Sequence, residues 1–167
     1  MYRCGDQVSY GIHGVCDIID VEVKMINRKK IEYYVLVPID QPFARFYVPT
    51  QNEAAVAKLR PIITQGEIDN LLQADGTWID AWIPDENQRK QKYKELIKNG
   101  DRAELIRMVH TLYKHKQEQH ASGRKFHICD ENFLKDAKKL LDTEFSLVLN
   151  MDQEEVSSYV QNALAQK

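Results

Sequence analysis

The residues with the clearest potential for chemistry form one stretch near the middle of the chain, where two tryptophans precede a run of cations. Trp78 and Trp82 are followed by four basic side chains, Arg89, Lys90, Lys92 and Lys94. Cations at this density can pair with several nucleic-acid phosphates. An aromatic ring beside them could stack on bases or wedge between them. The pattern indicates nucleic-acid binding, but two alternatives stay open: the tryptophans pack in a core, or the cations are a solvated helix face.

The distribution of charge supports a local basic surface in a chain that is weakly acidic as a whole. Residues 88–125 hold eleven Lys and Arg against four Asp and Glu, a formal charge of +7. Residues 64–87 hold six acids and no base, and the whole chain carries −2. A positive block of this size can attract an anionic partner although the overall pI is 6.2.

The histidines do not have the spacing of a metal site. His110, His115 and His120 are five residues apart, which places successive side chains about 140° apart around a helix. Helical zinc ligands are usually four residues apart. We therefore interpret these side chains as solvated and expect no metal.

Other catalytic patterns are weak. The chain has no CxxC pair among its three cysteines and no P-loop, GxGxxG, GxSxG or HExxH motif. We expect no enzymatic activity and no cofactor. A hydrolase or transferase built on His127, Cys129 or the acidic segment stays an alternative if a deep pocket gathers those groups.

The composition also bears on location. No apolar run approaches the roughly 18 residues that span a bilayer, and the first residues lack the apolar core of a signal peptide. We expect a cytoplasmic protein with reduced cysteines and no membrane contact.

The first 63 residues have the pattern of short β-strands. Strands are expected over 15–23, 31–37, 43–48 and 59–63, with a hairpin turn over 27–30. In the first of these, alternation predicts that Val15, Ile19, Val21 and Val23 face the core together with Asp17. Several short strands with long hairpins favour a small, strongly bent barrel.

After residue 63 the apolar period becomes helical. Thr64 and Glu67 form a predicted capping box, Pro84 can open the second helix and Asn99-Gly100 can end it. The later helices are expected to start at Asp101, Asp130 and Asp152, with Glu104 and Glu155 completing cap pairs at the first and the last of these. The chain is therefore predicted to be α+β: a β-barrel domain over 1–63 and an all-α domain over 64–167.

Several motifs, in order along the chain, resemble the CarD family of bacterial transcription regulators. The opening Gly5-Asp6-x-Val8-x-Tyr10-x-x-His13-Gly14 resembles that family's signature, and Glu32-Tyr33-Tyr34-Val35-Leu36 and Val48-Pro49 also fit it. The helical half matches through Tyr93-Lys94-Glu95-Leu96, Asn99-Gly100-Asp101, Val109-x-x-Leu112 and Asp130-x-x-x-Leu134-x-x-Ala137-x-x-Leu140-Leu141-x-x-Glu144.

The resemblance implies a Tudor-like barrel that docks on the β subunit of RNA polymerase, as in the transcription-repair coupling factor. It implies a helical domain that contacts promoter DNA at the upstream edge of the transcription bubble and stabilises the open complex. Family members insert a tryptophan into the minor groove, are not enzymes and need no metal. We expect a monomer with these two partners.

The resemblance also assigns residues. It implies DNA contact by Trp82, with Trp78 as a rival wedge, and by Arg89, Lys90, Lys92 and Lys94. The polymerase-binding positions correspond to Lys24, Ile26 and Tyr47. The family often has an arginine at the position of Tyr47, and Arg45, two residues earlier and therefore expected on the same strand face, can substitute for it. A protein-binding adaptor with no nucleic-acid contact remains the alternative.

Overall fold

The computed structural model describes residues 1–74 and 82–165. They belong to two compact units, a β unit, Met1–Ile62, and a helical unit, Ile63–Lys167. The predicted α+β order, a sheet followed by helices, is confirmed. Independent folding of domains 1–63 and 64–167 stays a prediction. Within the described residues, no helix is long and apolar enough to cross a membrane.

The β unit is one antiparallel sheet of five strands. The strands are β1 Gln7–Tyr10, β2 Val15–Ile26, β3 Lys29–Pro38, β4 Phe46–Pro49 and β5 Leu59–Pro61. Their order in the sheet is β4-β3-β2-β1-β5. The sheet is therefore open, with β4 and β5 at its edges, and it resembles a barrel only loosely.

The long hairpin between β2 and β3 has a two-residue turn. Asn27 and Arg28 both have left-handed backbones, with φ of 50° and 64°. Positive φ at both central positions is the geometry that matches the right-handed twist of the flanking strands. The predicted turn is confirmed, although β3 begins at Lys29, inside the range expected for the turn.

The predicted core face of β2 is wrong in its middle because of a β-bulge. Ile18 and Asp20 pair with successive residues of β3, which leaves Ile19 as an extra residue and reverses the alternation. Cys16 and Ile18 are fully buried before the bulge, Ile19 is 39% exposed, and Val21 packs against the core after it.

The other strand predictions were partly right. The strand predicted over 43–48 corresponds to β4 and begins only at Phe46. The Ala44 N–H closes a turn on the Gln41 carbonyl, and this turn leaves Phe43 exposed. Strand β1 and a single helical turn, α1 Glu53–Val56, had not been predicted. Each has four residues, too few for a periodic signal.

The helical unit contains five described helices. They are α2 Gln65–Gln73, α3 Glu86–Asn99, α4 Arg102–Ala121, α5 Ile128–Leu149 and α6 Gln153–Ala165. The capping box at α2 is confirmed: the Thr64 hydroxyl accepts the Glu67 N–H, and the Glu67 carboxylate accepts the Thr64 N–H at 2.8 Å.

Two helix starts differ from the prediction: α3 begins two residues after Pro84, and α5 begins two residues before Asp130. Asp85, and not Pro84, caps α3 by accepting the Gln88 N–H. His127 caps α5, so Asp130 lies within its first turn and not at its start. The predicted stop at Gly100 is confirmed by its left-handed backbone, with φ of 65°.

A buried carboxylate, that of Glu144, binds both an arginine of another helix and the backbone at the start of the helical unit. Arg102 binds both carboxylate oxygens of Glu144, at 2.8 and 2.5 Å. The same carboxylate accepts the backbone N–H of Ile63 at 3.1 Å. Glu144 is 3% exposed, so these donors compensate for burying its charge.

Candidate functional site

Two of the predicted polymerase-binding residues are in contact on the β unit. The Lys24 ammonium lies 3.4 Å from the centroid of the Tyr47 ring, a cation–π contact. Lys24 is also 3.5 Å from the Glu22 carboxylate. Tyr47 is 41% exposed and belongs to β4, which forms an edge of the sheet. Edge strands offer unpaired backbone groups to a partner.

Ile26 lies farther out on the same hairpin. It is two residues after Lys24 on β2, so the two side chains leave the same face of the strand. Ile26 is 43% exposed, and its neighbours Val23 and Met25 are 59% and 64% exposed. Val23 had been predicted to face the core. The end of this hairpin therefore exposes apolar side chains on both faces of the strand.

Arg45 is exposed but lies immediately before β4, which begins at Phe46. Strand alternation therefore does not apply between Arg45 and Tyr47. The argument that placed both on one strand face does not hold for this structure.

The lysines of the predicted DNA-binding run differ in their availability. Lys90 pairs with Glu86 one turn earlier on α3. The hydrogen bond with Glu86 raises the pKa of Lys90, and the pKa of the Glu86 carboxyl is lowered in turn. Lys92 and Lys94 are exposed, and neither forms an ion pair with another described residue. These two side chains are the ones best placed to reach an anion.

Arg89 points into the helical unit and not toward solvent. It is 5% exposed, and its Nε and Nη2 donate to the two oxygens of Asp130 at 2.9 and 3.0 Å. Burial alone would lower the pKa of the guanidinium, but the hydrogen bonds and charge of Asp130 outweigh it, so the pKa is raised. In this arrangement Arg89 does not present its donors to a phosphate.

Trp82 is partly buried and packs against the helical core. The His115 ring stacks on it, with centroids 3.5 Å apart and planes 14° apart. The Arg89 guanidinium carbon lies 4.4 Å from the Trp82 ring centroid. The prediction that Trp78 is a rival to Trp82 falls on residues 75–81, outside the described ones.

Sequence reasoning missed the roles of His115 and Asp130. His115 had been interpreted as a solvated helix side chain, and Asp130 as the first residue of a helix. A signal was available for Arg89: it precedes Tyr93 by four residues and Ile97 by eight, on the apolar stripe of α3. A cation on that stripe indicates a buried carboxylate partner.

The pair His127 and Cys129, kept open as a catalytic alternative, is occupied with helix capping. His127 Nδ1 accepts the Cys129 N–H at 3.3 Å, and its side chain is half exposed at the start of α5. Among residues 1–74 and 82–165, no group of three or more His, Cys, Asp or Glu could hold a metal ion.

Comparisons with known proteins match both units in order. Residues 2–63 match the CarD-like/TRCF RID domain, and residues 80–161 match the CarD C-terminal domain. The chain is also 23% identical over 172 residues to a Bacillus subtilis (strain 168) protein named "Putative transcription factor YdeB". That alignment covers 95% of this chain and 99% of the relative. The matches support a transcription-related role in which the β unit interacts with RNA polymerase.

Proposed function

Because the chain belongs to the CarD family, we propose that it is a transcription regulator that stabilises the open promoter complex. Its β unit binds the β subunit of RNA polymerase, and its helical unit binds promoter DNA. The observation that carries the proposal is the consecutive match of both units to the two parts of that family. The role is binding and not catalysis.

The polymerase-binding surface centres on the edge strand β4. Its exposed backbone can pair with a strand of the partner, while Lys24 and Tyr47 contribute side-chain contacts. Ile26 adds apolar area. Lys24→Glu combined with Arg45→Glu is expected to abolish capture of polymerase. Arg3→Glu with Lys58→Glu makes the same charge change at exposed positions elsewhere in the unit and should leave capture intact.

The DNA-binding surface centres on Lys92 and Lys94. Lys90, which forms an ion pair with Glu86, is a third cation of this surface. Three phosphate contacts give a slope of about −3 for log K against log salt. Free DNA binding is therefore weak, salt-sensitive and poorly sequence-specific. Lys92→Glu with Lys94→Glu should abolish it at low salt, whereas Lys135→Glu on the acidic helix α5 should have little effect.

Attachment to polymerase raises the effective concentration of the helical unit at the melted promoter. Trp82 then contacts the duplex at the edge of the bubble, so the protein binds the open state better than the closed one. The decisive experiment measures open-complex lifetime with polymerase and promoter DNA, with and without the protein. Trp82→Ala should shorten the lifetime toward the value without protein. The same measurement on Trp78→Ala tests whether the rival tryptophan makes the contact instead.

A second candidate function is a protein-binding adaptor without nucleic-acid contact. It is favoured by the burial of Arg89 and by the His115 ring and the Arg89 charge that lie against Trp82. The adaptor alternative expects no DNA binding at low salt and no change of open-complex lifetime. Polymerase capture by the β unit would be the same in both cases.

A further inference from the structure

The guanidinium of Arg89 donates four hydrogen bonds to three residues. Besides the two bonds to Asp130, Nη1 donates to the carbonyl oxygens of Ile83 at 2.9 Å and Pro84 at 3.3 Å. Ile83 and Pro84 directly follow Trp82. Arg89 therefore fixes the backbone beside Trp82 at the same time as its guanidinium lies against the Trp82 ring.

His115 fixes the ring from another helix. It lies on α4, stacks on Trp82, and its Nε2 is 3.1 Å from the side-chain amide of Gln119. The Trp82 ring is thus held by Arg89 of α3 and His115 of α4, while Asp130 of α5 holds Arg89. We refer to Arg89, His115 and Asp130 as the Trp82 clamp.

We propose that the Trp82 clamp consists of positioning residues, which hold the Trp82 ring in the orientation needed to contact DNA. This inference rests on the proposed function. Arg89 then serves the DNA contact without binding a phosphate, and Asp130 acts on DNA only through Arg89 and Trp82. A side chain held in its bound orientation loses less conformational entropy on binding, which is the advantage of such an arrangement.

The first experiment tests the clamp in the free protein. In a Trp78→Phe background Trp82 is the remaining tryptophan, and its fluorescence can be excited selectively. A protonated imidazole quenches an indole stacked on it, so the stacking contact predicts that emission falls on acidification. His115→Gln should abolish this pH dependence. His120→Gln, an exposed histidine on the same helix, should preserve it.

The second experiment tests the consequence for DNA with a double-mutant cycle. His115→Ala and Asp130→Asn should each shorten the open-complex lifetime by roughly three- to tenfold, the factor that corresponds to one aromatic contact. Neither should shorten it further in a Trp82→Ala background. His115→Phe keeps a stacking ring and should restore the lifetime. Circular dichroism at the assay temperature checks folding, and His115, whose side chain is partly exposed, gives a test that does not depend on Asp130.

Three results would overturn the inference. The first is pH-dependent quenching that survives in His115→Gln. The second is an equal shortening of the lifetime by Asp130→Asn with and without Trp82, because Asp130 would then act by another route. The third is a normal lifetime in Trp82→Ala, which leaves nothing to position. In that last case the lysine variants still decide whether the helical unit binds DNA.

Discussion

Arg89 illustrates how one residue of a basic run can have a role opposite to that of its neighbours. Four cations within six positions suggested a single phosphate-binding surface. The helical period instead directs Arg89 inward with Tyr93, and turns Lys92 and Lys94 outward. Arginine suits the buried position because its planar fork matches a carboxylate with two parallel hydrogen bonds.

The first prediction at this scale concerns the partner of Arg89. Asp130→Ala leaves a buried cation without its carboxylate and should lower the free energy of unfolding by about 3–5 kcal/mol. Chemical denaturation measures the change. Glu131→Ala removes the neighbouring, partly exposed pair with Lys116 and should cost about 1 kcal/mol or less. Equal losses in the two variants would contradict the assigned role of Asp130.

A second residue-scale prediction concerns Asp142 on α5. Burial raises the pKa of its carboxyl from the ordinary 3.8 to about 6, against the opposing charge of Lys138. Between those pH values the folded state binds more protons than the unfolded state, so Asp142 lowers stability as pH rises from 3.8 to 6. Asp142→Asn should therefore stabilise the protein at pH 7 by roughly 1–3 kcal/mol.

At pH 3 both states of the wild-type protein carry a protonated Asp142, and the stabilisation by Asp142→Asn should vanish. The comparison of urea denaturation at pH 3 and pH 7 checks the sign. Asp136→Asn, at an exposed position of the same helix, is the control. A stabilisation of the same size at both pH values would refute the assignment.

At the scale of elements, strand β2 shows the limit of alternation. In its first half Val15, which had been predicted to face the core, is buried, but so are Cys16 and Ile18 on the other predicted face. Val21 returns to the core only after the extra residue at Ile19. A bulge is defined by pairing with another strand, here β3. A pattern confined to β2 could not reveal it.

Neighbouring isoleucines test the bulge. Ile18→Ala should cost about 2–5 kcal/mol because it creates a cavity in the core of the β unit. Ile19→Ala should cost about 0.5 kcal/mol or less, as at other exposed positions. Urea denaturation followed by backbone amide NMR signals of residues 7–61 provides the measurement. A larger loss of stability for Ile19→Ala than for Ile18→Ala would contradict the bulge and support the core face predicted from the sequence.

Helix ends were more predictable than strand faces. The boxes at Thr64 and Asp152 were both predicted, and both form reciprocal hydrogen bonds between residues three positions apart. Capping depends on neighbours in sequence, so a local pattern contains most of the information. The exceptions are α3, which Asp85 caps in place of a start at Pro84, and α5, where a histidine serves as the cap and the expected aspartate is buried.

For the whole molecule, the prediction of two domains can be tested with the natural distribution of tryptophan. Trp78 and Trp82 both follow residue 63, so tryptophan fluorescence reports the helical unit alone. If the units fold independently, Ile18→Ala should lower the denaturation midpoint seen by amide signals of the β unit and leave the fluorescence midpoint unchanged. A common shift of both midpoints would mean that the chain unfolds as one cooperative unit.

The sequence by itself determined the α+β order, the hairpin turn, the caps of α2, α4 and α6, the concentration of positive charge and the family. Each of these depends on neighbours in the chain or on composition. The tertiary structure decided that Arg89 is buried, that Trp82 stacks on His115 and that Ile19 is exposed. The Arg89–Asp130 contact joins residues 41 positions apart, and a pairing at that separation arises from helix packing and not from any local pattern. The basic run that suggested DNA binding thus divides into two exposed lysines, one lysine paired with Glu86 and one buried arginine.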